Sequence, residues 1–140
     1  MGKPIIVMIE DNPADVELLR IAFDRLNEPY ELVTLDDGEE ALRFIHNRHS
    51  RGAEPEPCVI LLDVHLPKYD GLEVLAALKR EPKFQHIHVV MLASGDIRPD
   101  EHTAIGRLGA MFRQKPRRFA EVLELATDVL ELCRKAVAAV

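Results

Sequence analysis

Five short apolar runs, separated by longer segments with helical spacing, limit what this chain can become. The runs cover Ile5 to Ile9, Glu31 to Leu35, Val59 to Leu62, Val89 to Leu92 and Ala110 to Arg113. Such alternation is the pattern of βαβ units around a mostly parallel sheet. The first, third and fourth runs are apolar on both faces, which suits the buried centre of that sheet. Between and after them, helices are expected over about 14–27, 38–50, 71–80, 99–108 and 117–138, with Val16, Leu19, Phe23 and Leu26 spaced by three and four. Asp36, Asp37 and Gly38 suit a turn before the second helix. "SRGAEPEP", residues 50–57, suits an exposed loop, because its prolines, glycine and charges cannot extend either neighbour. The expected architecture is a doubly wound α/β domain occupying residues 1–140, and its ligands belong beyond the carboxyl ends of the central strands.

Composition narrows the function classes. In 140 residues, 47% are hydrophobic and 30% charged, a globular rather than a disordered balance. Eighteen basic residues face twenty-four acidic ones, for a formal charge of -6, and the basic residues are scattered, so direct nucleic-acid binding is not expected. No apolar run approaches the roughly 18 residues needed to span a bilayer, and the start "MGKPIIVMIED" has too short an apolar stretch for a signal peptide. Cys58 and Cys133 have no CxxC or zinc-type neighbour and are expected as free, hydrophobic thiols in a reducing cytoplasm. His46 with His49, and His86 with His88, lack further ligands at zinc-like spacing.

The strand ends carry the chemistry. The first strand runs into Glu10 and Asp11, the third into Asp63, and the fifth is followed by Lys115 and Pro116. On adjacent parallel strands, three carboxylates and one ammonium converge on one sheet edge. Three carboxylates repel one another unless a cation sits among them. A hard, oxygen-liganded ion such as Mg²⁺ needs only one or two of them. Beside that ion and a lysine, a carboxylate can attack phosphorus and form an aspartyl phosphate. Any one of these acids could equally be a strand-end or helix-cap residue; the four together at matching positions favour the site.

"IIVMIEDNPADVELLR", "VILLDVHLPKYDGLEVL" and "RQKP" resemble the three signature blocks of the receiver domain of two-component response regulators, over residues 4 to about 135. "EDNPAD", "LPKYDG" and "KREPKFQHIHVVML" resemble most the single-domain regulators that partner bacterial and cyanobacterial phytochromes. The resemblance implies a flavodoxin-like sheet of order 2-1-3-4-5 flanked by five helices. It makes Asp63 the phosphoacceptor and Glu10 and Asp11 the acidic pair for Mg²⁺, with the backbone carbonyl of His65 as a further ligand. Lys115 would contact the phosphoryl group, and the Lys115–Pro116 bond is cis in many relatives.

The chain also departs from that pattern. Receivers carry a Thr or Ser at the end of strand four as a switch hydroxyl; here the position is Ala93, with Ser94 next. Ser94 can replace the hydroxyl only if the strand ends or bulges there. The switch aromatic of strand five matches Phe112, which lacks a hydroxyl and can equally be an ordinary core residue. His65, two residues after Asp63, is either polar surface or a modulator of dephosphorylation.

The expectation is a phosphoacceptor signalling module rather than an enzyme, charged by a sensor histidine kinase with a bacteriophytochrome as candidate, and signalling through protein contacts in the absence of an output domain. The alternative is a degenerate receiver serving as an interaction or dimerisation scaffold. A phosphatase or phosphotransferase is disfavoured because such enzymes pair their aspartyl nucleophile with an acid two residues on, where His65 stands. In the last helix, Phe119, Val122, Ala126, Val129, Cys133 and Val137 can cover the sheet. Leu123, Leu125, Leu130 and Leu132 widen that surface. Either the helix is a broad monomer element, or a second copy covers the excess through the fourth helix, fifth strand and fifth helix or the tail.

Overall fold

The computed structural model describes residues 2–51 and 56–138, with the side chains of 48–51 and 137–138 outside the description. Residues 52–55 of the expected loop at 50–57, together with the side chains of His49 and Val137, therefore lie outside the described residues, and residues 50 and 51 continue the second helix rather than the loop.

Among the described residues strands and helices alternate: β1 (Ile5–Ile9), α1 (Pro13–Arg25), β2 (Glu31–Leu35), α2 (Gly38–Arg51), β3 (Val59–Asp63), α3 (Gly71–Arg80), β4 (His88–Ala93), α4 (Pro99–Arg107), β5 (Met111–Gln114) and α5 (Phe119–Ala138). All pairings are parallel, and the sheet order is β2-β1-β3-β4-β5. This is the doubly wound fold expected from the apolar pattern, in the flavodoxin-like order implied by the resemblance.

Successive strand side chains point to opposite faces, so each central strand feeds two cores. Val7, Ile9, Ile60, Leu62, Val89 and Met91 pack with residues of α2, α3 and α4. Ile6, Met8, Val59, Leu61, Val90 and Leu92 pack with residues of α1 and α5. Runs that are apolar at every position are what a sheet covered on both sides requires.

Helix starts follow their local chemistry. Asn12 caps α1, its side-chain oxygen accepting the Ala14 N–H at 3.0 Å, and Pro13 supplies a first-turn residue that needs no donor. At α4, Pro99 plays that part, and the Arg98 N–H donates to Glu101 at 2.8 Å.

Some expectations change. β5 begins one residue later than its apolar pattern suggested, and α5 begins at Phe119 rather than at 117. There is no cis peptide bond among the described residues, so Lys115–Pro116 is trans. The cysteines are not free thiols: Cys58 and Cys133 form a disulfide across a sequence separation of 75, with Cα atoms 5.1 Å apart. Cys58 immediately precedes β3 and is anchored by its N–H to the Ile5 carbonyl at 2.8 Å. Cys133 lies on the sheet-facing side of α5, and this packing brings the two thiols together.

Candidate functional site

The carboxyl ends of β1 and β3 and the residue after β5 build one compact charged cluster. Glu10 follows β1 and Asp63 ends β3; both are buried, while the neighbouring Asp11 is exposed. Carboxylate oxygens of Glu10, Asp11 and Asp63 lie within 4.8 Å of one another, the only such potential cation cluster among the described residues.

Lys115 reaches in from the end of β5, where its N–H donates to the Ala93 carbonyl at 2.7 Å. Its ammonium lies 2.6 Å from Glu10 Oε1, 2.9 Å from Asp15 Oδ2 and 3.0 Å from Asp63 Oδ2. The side chain is 14% exposed. Burial by itself would lower the lysine's pKa, but close contacts with the Glu10, Asp15 and Asp63 carboxylates overcome that effect and hold it above the ordinary range.

Glu10 is the most perturbed acid. Burial pushes its carboxyl up to about 7; Lys115 pulls it back down, and the adjacent Asp63 charge raises it again. Its Oε2 accepts the Asn12 N–H at 3.1 Å. Oε1, although 2.6 Å from the ammonium, is buried without a properly aligned hydrogen bond. The Lys115 contact to that oxygen is thus electrostatic, leaving lone pairs that a cation can take. The orphaned oxygen, the clustered carboxylates and their all-oxygen chemistry fit Mg²⁺ or a similar hard ion.

Asp63 is held from two sides. Its Oδ1 accepts the His65 N–H at 3.0 Å, and its Oδ2 faces Lys115. The backbone beneath is fixed by Val64 N–H donating to the Leu92 carbonyl at 2.8 Å and Gly71 N–H donating to the Val64 carbonyl at 2.9 Å. A Cβ on Gly71 would lie 2.1 Å from the Asp63 carbonyl oxygen, so the glycine of "LPKYDG" is required by close approach of α3 to β3.

The remaining sequence candidates occupy the rim. Ala93 is the last residue of β4 and is buried, with its Cα paired to Gln114, whereas Ser94 lies just past the strand end and is exposed. Phe112 is half-buried against the α2–α4 core, and the His102 ring meets it edge-on at 5.1 Å. The His65 side chain is not idle surface: Nε2 lies 3.5 Å from Glu101 Oε2. His86 pairs with Glu56 at 3.0 Å, and neither it nor His46 or His88 joins a cation cluster.

One residue of the charged cluster escaped the sequence reading, and another turned out far more buried than the sequence suggested. Asp15 reaches Lys115 from the first turn of α1; its signal was an acid four residues after Asp11 on a helix starting above the sheet edge. Glu101 is 3% exposed at its side chain and joins the β3–α3 loop to α4. An acid in a charged helix start carries no signal of such burial.

The model of the response regulator receiver domain matches residues 6–127. The chain belongs to the response regulator receiver family. It is 38% identical over 90 residues to the response regulator Rcp1 of Synechocystis sp., a match covering 64% of this chain and 61% of Rcp1, so the chain spans less than two thirds of that relative. Among solved structures, it resembles the phosphorylated cyanobacterial phytochrome response regulator RcpA with a TM-score of 0.82 at 30% identity, covering 96% of each chain. It also resembles the Mn²⁺-bound form of Rcp1 with a TM-score of 0.77 at 31% identity, covering 90% of this chain and 91% of that one. Receiver domains are phosphoacceptor modules of two-component phosphorelays rather than conventional enzymes. Among the described residues, no helix is long and apolar enough to cross a membrane.

Proposed function

We propose that Asp63 is the phosphoacceptor, charged by a phytochrome-type sensor histidine kinase, and that residues 1–140 act as one receiver domain that signals through protein contacts. The observation that carries this reading is the Lys115 ammonium 3.0 Å from Asp63 Oδ2, beside the Glu10, Asp11 and Asp63 carboxylates. In the reaction, a carboxylate oxygen of Asp63 forms a bond to phosphorus while the bond from phosphorus to the kinase histidine nitrogen breaks; the electron pair returns to that imidazole. The His65 N–H fixes Oδ1 of the nucleophile, and Lys115 donates to a phosphoryl oxygen. Glu10, Asp11, Asp63 and the His65 carbonyl would hold Mg²⁺, which when bound neutralises charge on the phosphoryl group. The phytochrome assignment draws on the likeness to RcpA.

Output is proposed to pass through a homodimer of α4, β5 and α5 or the tail. In support, Met111 is 42% exposed on the edge strand, beside a groove of about 270 Å³ lined by Arg113, Leu125, Val129 and Leu132. The leucine argument is weaker than the sequence implied, because Leu125 and Leu130 are buried within the chain's own core and Leu123 and Leu132 pack partly against it. Charges near that face are engaged within the chain: Arg113 pairs with Asp128 at 2.7 Å, Asp96 with His102 at 3.0 Å and Asp100 with Arg98 at 3.1 Å.

One observation favours the scaffold alternative: Ala93 offers no hydroxyl at the end of β4, and Ser94 lies exposed just past the strand end. A lost hydrogen bond to a charged acceptor is worth roughly 1.5–3 kcal/mol, enough to weaken a switch whose states differ by a few kcal/mol. Acetyl phosphate with Mg²⁺ separates the readings. Acid-labile labelling is expected in the unmodified protein and none in Asp63→Asn, with amide exchange changing around residues 93–113. Labelling retained by the Asn variant would refute Asp63; labelling without any exchange response would select the scaffold.

A further inference from the structure

We infer that Asp15 is a positioning residue that holds Lys115 over the phosphoacceptor throughout the reaction. The inference rests on the phosphoacceptor reading above and deepens it. Three carboxylate oxygens surround the Lys115 ammonium, from Glu10 at 2.6 Å, Asp15 at 2.9 Å and Asp63 at 3.0 Å. The ammonium donates hydrogen bonds to Asp15 and Asp63, while its contact with Glu10 Oε1 is an ion pair without an aligned hydrogen bond. Two of the three have other duties. Glu10 and Asp63 belong to the cluster able to chelate a cation, and Asp63 also gives up carboxylate charge when its oxygen bonds to phosphorus.

Asp15 has no such duty. It is outside that cluster, and its side chain is 30% exposed, at the edge of the site rather than within it. Of the three partners it alone keeps its negative charge free for the lysine once a cation and a phosphoryl group have claimed the others. A lysine has a long, flexible stem with large rotamer entropy, and without a retained partner it can swing toward solvent. Its own backbone is already fixed by the hydrogen bond to the Ala93 carbonyl at 2.7 Å. A second anchor at the ammonium therefore defines the whole side chain.

The anchor itself is rigidly placed. Asp15 lies in the first turn of α1, which Asn12 caps and Pro13 opens. The α1 start follows Glu10 and Asp11 directly, so the residue that holds the lysine and the residues that can hold a cation come from one short connection. An acid in the first helical turn is also favourably placed with respect to the helix dipole.

The test uses the full chain with Asp15→Ala, Asp15→Asn and Asp15→Glu. With acetyl phosphate and saturating Mg²⁺, the Ala variant is expected to label at least fivefold more slowly and to bind beryllofluoride at least fivefold more weakly. Its Mg²⁺ dissociation constant is expected to stay within twofold of the unmodified protein. The Glu variant, whose carboxylate can still reach, is expected to recover labelling to within twofold, and the isosteric Asn variant to fall between. In metal-free protein, NMR of the Lys115 ammonium is expected to show proton exchange with water at least fivefold faster in the Ala variant. If Mg²⁺ and beryllofluoride binding weaken together, or if Glu fails to recover labelling, Asp15 acts on the fold or the cation and the inference is wrong. Unmodified protein that takes no label at Asp63 overturns the phosphoacceptor reading instead, and unchanged lysine exchange in that case overturns Asp15 as well. Should the Ala variant melt before it can be assayed, the Asn variant carries the same comparison.

Discussion

At the scale of single residues, the site is a balance of charge against burial, and Glu10 shows it most directly. Burial raises its carboxyl to about 7 from an ordinary 4.5, because a charged group loses hydration there and meets the Asp63 charge. Between those two values the folded chain keeps a proton that the unfolded chain has lost. The contribution of Glu10 to stability therefore falls as pH rises from about 4.5 to about 7, and above that the loss is complete. Cation binding needs the ionised carboxylate and should follow the opposite course. Titration calorimetry is expected to find Mg²⁺ bound on the order of tenfold more weakly at pH 5.5 than at pH 8. Glu10→Gln is expected to flatten that profile while weakening binding at pH 8. An affinity independent of pH in the unmodified protein would show that Glu10 does not gate the cation. Sequence alone identified Glu10, Asp11, Asp63 and Lys115 because each stands at a strand end. It could not rank their burial, which depends on what the neighbouring loops cover.

At the scale of elements, strands fix positions and connections add the specific chemistry. Asp63 is precise because β3 is hydrogen-bonded on both sides and α3 presses Gly71 against its last carbonyl. The same strand begins beside the disulfide, which ties it to the last turns of α5. Closing a loop of 75 residues restricts the unfolded chain and should contribute about 4 kcal/mol. Reduction with a phosphine is accordingly expected to lower the melting temperature by on the order of 10 °C. Without reductant, a thiol assay under denaturing conditions should find no free cysteine. Two reactive thiols in that assay would rule out the bridge. The pairing was invisible in the sequence because nothing local marks two cysteines so far apart; only the packing of α5 on the β1–β3 side of the sheet makes them neighbours. Helix limits, by contrast, were nearly legible, since Asn12 with Pro13 and Pro99 announce their own starts.

At the scale of the whole molecule, association is the open consequence of the proposed function. Met111 on the edge strand and the groove beside α5 give a second copy something to cover, while the ion pairs made within the chain leave few charges to guide it. Sedimentation across a concentration series is expected to show a monomer–dimer equilibrium, and Met111→Glu to shift it toward monomer. A monomer at high micromolar concentration, with and without beryllofluoride, would refute the dimer. What the sequence by itself determined is the class of fold and the line-up of acids and lysine. Alternating apolar runs force a covered parallel sheet, and strand ends in such a sheet share one edge. The tertiary structure alone decided that Asp15 joins the lysine, that His65 meets a buried Glu101, that Cys58 reaches Cys133 and that the α5 leucines are largely spent on the chain's own core. Each of these pairs residues distant in the chain or set on different elements. Their meeting depends on how helices seat on the sheet, a quantity that periodicity and local propensity do not contain.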